Sequence, residues 1–190
     1  MVGGGRLNDG RVSGTNCARP TRSRKSLEEN ANVHAFGGID SRAERPVVPK
    51  GLLGVVKAIA DTGFLVAFAN RNDQYHDWAL EVARRIVEPL LTCEAVLAES
   101  AFHLRSSAVV LDMLNEDLVT LAFDCAKHVE RLRALAKRYA DRKPDLADLC
   151  LIRMSEMNPR HSVITVDRGD FRVYRRNKRE IIPLICPPES

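Results

Sequence analysis

The stretch Lys57 to Asn70, KAIADTGFLVAFAN, constrains the fold more than any other, because an acid sits in it where the apolar pattern changes period. Val55, Val56, Ile59 and Ala60 read as a short buried strand, and Phe64, Leu65, Phe68 and Ala69 recur at helical spacing. Asp61 falls at the join. In an open parallel α/β sheet, ligands bind in the crevice outside the carboxyl ends of the strands, so a carboxylate at a strand end faces that crevice.

The remainder of the chain repeats this alternation. A polar loop over 71–74 leads to a helix predicted for 76–88, stopped by Pro89, and PLLT (89–92) reads as a second strand. CEAVLAESAFHLR follows as a helix carrying Glu99, then SSAVVLDML as another, capped by Ser106 or Ser107. LVTLAF (118–123) reads as a third strand, and residues 124–140 form the longest helical pattern. PDLADLCLIRMSEM places Pro144 in the first turn of an apolar helix. SVITV (162–166) is the fourth strand, and EIIPLIC (180–186) the fifth, an edge strand because Pro183 cannot donate to a ladder. Strands separated by helices predict a three-layer α/β/α fold around a mostly parallel central sheet of four to five strands.

Charge placement separates the chain into two parts. Of 29 Lys and Arg and 25 Asp and Glu, residues 1–50 hold 9 and 5, leaving 20 of each for 51–190. Residues 1–50 show GGG, scattered Arg and Ser and no sustained period, and read as a poorly ordered N-terminal extension; 51–190 is the folded domain. A balanced domain gives no strong nucleic-acid signal by charge alone. Five scattered cysteines without CxxC spacing point to reduced thiols in a cytoplasm, and against a disulfide framework or zinc ribbon. No apolar run has the roughly 18 residues of a membrane helix.

Asp61 and Asp167 follow strands, Asp148 lies in the first turn of its helix, and Glu99 is about two turns into its own. Gathered in one crevice, such acids would repel one another and hold raised pKa values unless a cation sat between them. Oxygen donors suit Mg²⁺ or Mn²⁺, and no His/Cys grouping at ligand spacing favours zinc. The matching chemistry is phosphodiester hydrolysis by metal-activated water. Taken singly, Asp61 could end a turn, Asp148 could support an Asp145 cap, Asp167 could be a loop acid, and Glu99 could be a solvated face. Asp170 is a candidate cap for the next short helix.

DTGFLVAFANRNDQYH, PLLTCEAVLAE, PDLADLCLIRMSE and VITVDRGDF together resemble the four blocks of the PIN domain, in order, across roughly 56–187. The resemblance is nearest to VapC-type toxins of bacterial toxin-antitoxin modules. It implies a Mg²⁺- or Mn²⁺-dependent endoribonuclease, a homodimer, and a cognate antitoxin that holds it inactive. On matching positions Asp61, Glu99, Asp148 and Asp167 are the family's four acids, with ADL in place of the usual ADA in the third block. Asp61 and Asp148 are then expected to hold the principal metal, with Glu99 and Asp167 orienting water or completing a second site. Asp145, Asp170, Thr62 and Thr165 are secondary candidates. Arg172, Arg175 and Arg176, in RVYRRNKR, are candidates for the phosphate backbone of an RNA substrate, against a solvated turn.

Other readings keep the fold and change the task. A PIN-fold nuclease without an antitoxin would process rRNA or structured nucleic acid, and a degenerate one would only bind partners. A phospho-receiver domain needs paired acids after the first strand, but Ala60 precedes Asp61 here. His76 and Asp77 read as helix-orienting residues in preference to an acid/base pair.

Overall fold

A computed structural model describes residues 57–188 of the 190. The expectations for residues 1–50, and for Val55 and Val56, lie outside the described residues. In chain order the elements are β1 (Ala58–Ala60), α1 (Thr62–Ala69), α2 (His76–Ala83), β2 (Leu90–Thr92), α3 (Glu94–Leu104), α4 (Ser107–Asn115) and β3 (Val119–Leu121). A 3₁₀ turn (Cys125–His128) follows, then α5 (Val129–Arg138), α6 (Leu146–Met157), β4 (Ser162–Ile164), α7 (Arg168–Phe171), β5 (Arg175–Arg176), β6 (Glu180–Ile181) and β7 (Leu184–Ile185).

The central sheet has five strands in the order β3-β2-β1-β4-β7, every pair parallel, flanked by helices in a three-layer α/β/α fold. Parallel strands covered on both faces lose their polar alternation, and β1 shows it: Ala58, Ile59 and Ala60 are all buried. From β1 the chain steps outward to β2 and β3, then returns to β4 on the other flank of β1. That reversal puts a topological switch point between β1 and β4, which is where open α/β sheets bind ligands. Ala58 pairs with Ser162, Ile59 with Val163 and Ala60 with Ile164, so the two strands end level.

Helix contacts extend the core outward. α1 packs against α2 and α3, α3 also against α4 and α6, and α5 against α6. α6 is the most buried helix, with Ala147, Leu149, Cys150, Leu151, Ile152, Met154 and Ser155 all inside. Phe64 of α1 meets Trp78 of α2 edge to face at 6.0 Å, placing the Trp in packing.

Several boundaries differ from the sequence reading; the third and fourth strands, for instance, end at Leu121 and Ile164, short of the patterns over 118–123 and 162–166. The helix expected over 76–88 ends at Ala83, where Arg85 and Ile86 take i−3 carbonyls (Val82 and Ala83) and tighten the chain out of the helix. The pattern over 124–140 divides, because the Asp124 side chain caps a 3₁₀ turn through the Ala126 N–H; α6, with 12 residues, is the longest helix described. Pro144 stands one residue outside its helix, since Asp145 is the N-cap. The predicted strand 180–186 is two strands: Glu180–Ile181 pairs antiparallel with β5 in a hairpin, and only Leu184–Ile185 joins the main sheet. Pro183 separates them. It has no N–H to give a ladder, yet its carbonyl accepts from Val163 N at 2.8 Å, which starts the edge pairing.

Candidate metal and phosphodiester site

Asp61 directly follows β1 and is the N-cap of α1. Its backbone N–H bonds the Ile164 carbonyl (3.1 Å), its Oδ1 accepts from Thr62 N (2.7 Å), and its Oδ2 accepts from Thr165 Oγ1 (2.6 Å). Thr165, fully buried just beyond β4, accepts in turn from Asp167 N at 2.9 Å. One hydroxyl therefore fixes two acids, one from each side of the switch point. Asp167 caps α7, its Oδ1 accepting from Asp170 N at 3.0 Å; Asp170 lies inside that helix and is not its cap.

Glu99 reaches the same place from α3. Its Oε2 accepts from Thr62 Oγ1 at 2.7 Å, and its Oε1 lies 3.9 Å from His103 Nε2, one helical turn on. Thr62 thus links Asp61 to Glu99 as Thr165 links Asp61 to Asp167. Asp145, the N-cap of α6, accepts from Asp148 N at 2.8 Å, and Asp148 Oδ2 accepts from the Tyr174 hydroxyl at 3.1 Å.

These groups line one cleft of about 390 Å³. Asp61, Glu99, Asp145, Asp148, Asp167 and Asp170 are all in its wall, with Asp73, His103 and Thr62, and no Lys or Arg is among the described residues there. Burial, followed by the charges of Glu99 and Asp145, lifts the Asp61 pKa from 3.8 to about 6, against the pull of the Thr165 and Thr62 hydrogen bonds. Asp148 is raised to about 7, by burial first and then by the charges of Asp145, Asp61 and Asp170. Burial is the first cause of both shifts, and neighbouring acids add to it, so a cation near these carboxylates would favour their ionised forms.

The donor set is oxygen throughout, which suits a hard divalent cation. Among the described residues no three carboxylate, imidazole or thiol groups form a preformed cage. Mg²⁺ does not ask for one, since it is held by one or two carboxylates and completes its octahedron with water and substrate phosphate. The residues fit such an ion, with Asp61 buried, Asp148 half-buried, and both raised in pKa.

The remaining candidates lie outside the wall. Thr165 touches Asp61 without lining the cleft. Arg175 directs Nη1 to the carbonyls of Arg172 (2.5 Å) and Tyr174 (2.8 Å); Arg176 binds Glu180 (3.0 Å) and the Pro159 carbonyl (2.9 Å). Both guanidiniums thus have intramolecular work in the hairpin. His76 turns Nδ1 to the Ala67 carbonyl at 2.8 Å, which fixes α2 on α1. Three residues near the acids were not legible as site residues: Asp73 in the polar loop, His103 on α3, and Tyr174 inside a run of arginines. The i,i+4 spacing of Glu99 and His103 is the one local signal among them.

Comparison of the sequence with protein-family models and with curated proteins returns no match.

Proposed function

We propose that the protein is a PIN-like, Mg²⁺- or Mn²⁺-dependent endoribonuclease of the VapC toxin type. The observation that carries the reading is the meeting of Asp61, Glu99, Asp148 and Asp167 in one cleft at the β1/β4 switch point, two of them with raised pKa values. The four-block sequence resemblance supplies the class of substrate.

A divalent cation held there supplies charge neutralisation for a phosphodiester and lowers the pKa of a water to nucleophilic range. Asp61 and Asp148 are the residues that would hold it. Thr165 and Thr62 keep Asp61 from rotating by bonding one oxygen each. Glu99, with His103 beside its second oxygen, is placed to orient a water or accept its proton. Asp167, tied by its backbone to Thr165, faces the same space from the β4 side. The acid-rich wall repels a polyanion until the cation is bound, so substrate binding is metal-dependent.

A homodimer and a cognate antitoxin belong to the same proposal, as does a cytoplasmic site of action. The exposed Phe102 of α3 and Leu111 of α4, on two helices packed together, offer apolar area for a partner. No helix among the described residues is long and apolar enough to cross a membrane.

The test is cleavage of single-stranded RNA by purified wild type and Asp61→Asn, with Mg²⁺, Mn²⁺ or EDTA. We expect wild-type cleavage with either ion and none in EDTA. Asp61→Asn should lose more than about 100-fold, exceeding the 10- to 100-fold typical of groups one step removed from a metal. Equal metal-dependent cleavage by both proteins would overturn the reading. Induced expression with mapping of RNA 5′ ends then separates a toxin from a processing enzyme.

A further inference from the structure

Tyr174 is almost wholly buried, its ring edge-on to Tyr139 (centroids 5.0 Å) and to Phe171 (5.6 Å). A buried phenol needs a partner for its hydroxyl. The two tyrosines of this cluster spend theirs differently. The Tyr139 hydroxyl serves backbone, accepting from Arg175 N at 2.9 Å and donating to the Arg175 carbonyl at 3.4 Å. The Tyr174 hydroxyl leaves the cluster and donates to Asp148 Oδ2 at 3.1 Å.

Asp148 is thereby held at both ends. Its backbone N–H is fixed by Asp145, and one carboxylate oxygen is fixed by a side chain that has no room to move. The χ2 torsion of an aspartate is broad and roughly two-fold, so an untethered carboxylate would present either oxygen over a range of angles. We propose that Tyr174 is the positioning residue for Asp148: its hydroxyl holds Oδ2 so that Oδ1 is the oxygen offered to a divalent cation. The inference rests on the metal-site reading above. It also makes the hairpin that begins at Arg175 part of the site's support, because Tyr174 lies at its base.

The experiment measures Mn²⁺ binding to the full chain without RNA, by the electron paramagnetic resonance signal of free Mn²⁺, for wild type, Tyr174→Phe, Tyr139→Phe and Asp148→Asn. Thermal melting is recorded on the same samples. Tyr174→Phe keeps the ring and removes only the hydroxyl; the expected result is Mn²⁺ binding about 10-fold weaker, the usual scale for a group one bond behind a ligand. Its RNA cleavage should recover at saturating Mn²⁺. Tyr139→Phe removes a hydroxyl from the same cluster without touching an acid, and should bind Mn²⁺ as wild type does. Wild-type affinity in Tyr174→Phe beside lost affinity in Asp148→Asn overturns the positioning role alone. Equal losses in both Tyr→Phe variants, tracking their melting temperatures, also overturn it, as general damage. If Asp148→Asn binds Mn²⁺ like wild type, or wild type binds none, the metal-site reading itself falls.

Discussion

Thr165 shows how much of the candidate site depends on one hydroxyl. It donates to Asp61 Oδ2 in a buried bond and accepts from Asp167 N in a part-buried one. Thr165→Val keeps the shape and removes both. Orphaning a buried carboxylate oxygen and a backbone N–H costs roughly 1–3 kcal/mol each when no partner is found. We expect a stability loss of about 2 kcal/mol by denaturant unfolding, and metal-dependent cleavage down by about 10-fold or more because Asp61 is released. Retained cleavage at reduced stability would show that Thr165 serves the fold alone. Asp61, Asp148 and Asp167 were legible because each sits at a join, strand to helix or cap to helix, that local pattern can reveal, whereas Glu99, in the middle of α3, stood out only through the four-block resemblance. Tyr174 was not, because its tie to Asp148 spans 26 residues of sequence and nothing in RVYRRNKR marks one residue as buried.

At the scale of elements, the site depends on how closely α1 lies against the exit of β4. A Cβ built on Gly63, in the first turn of α1, would stand 2.4 Å from Val166 Cγ2. Val166 lies between Thr165 and Asp167, and a β-branched side chain has few rotamers to escape into. Glycine at 63 is therefore required by a close approach. Gly63→Ala should cost about 1–3 kcal/mol through overpacking and lower cleavage by shifting Asp167. Adding Val166→Ala should restore most of both, and a double-mutant cycle with no coupling would refute the contact. Sequence pattern gave the order and type of these elements but not this spacing, since nothing local distinguishes a tight glycine from a merely tolerated one. The run EIIPLIC failed for a related reason. Its apolar content is continuous, while its hydrogen bonds divide at Pro183 between a hairpin and the sheet.

Across the folded domain, Glu156 on one side and Asp61 with Asp148 on the other respond to pH in opposite directions. Glu156 of α6 is buried, and Arg131 of α5, Arg153 of α6 and the Asn177 N–H of the hairpin turn all donate to it. Burial alone would raise its pKa, but the hydrogen bonds from Arg131, Arg153 and Asn177 outweigh that and hold it below 4.5. A depressed carboxyl stabilises the fold above its unfolded pKa, and that stability is lost as pH falls through the folded value. Asp61 and Asp148 act the other way. With folded values near 6 and 7 against an unfolded 3.8, they leave the native state more protonated than the unfolded chain between those limits. Their contribution is full below about pH 4 and lost as pH rises towards 7, with Asp61 alone worth about 3 kcal/mol. In EDTA the melting temperature should therefore be highest near pH 4–5 and fall towards pH 7. Asp61→Asn should flatten the fall, and Glu156→Gln should instead lower stability by about 3 kcal/mol at neutral pH by leaving two arginines unpaired. Millimolar Mg²⁺ or Mn²⁺ binds the ionised acids of the folded state, so it should raise the melting temperature most at pH 7–8 and little at pH 4.5. A melting curve that rises steadily from pH 5 to 8 in EDTA would mean that the cleft carboxyls are solvated and ordinary, and the ion would have nothing to relieve.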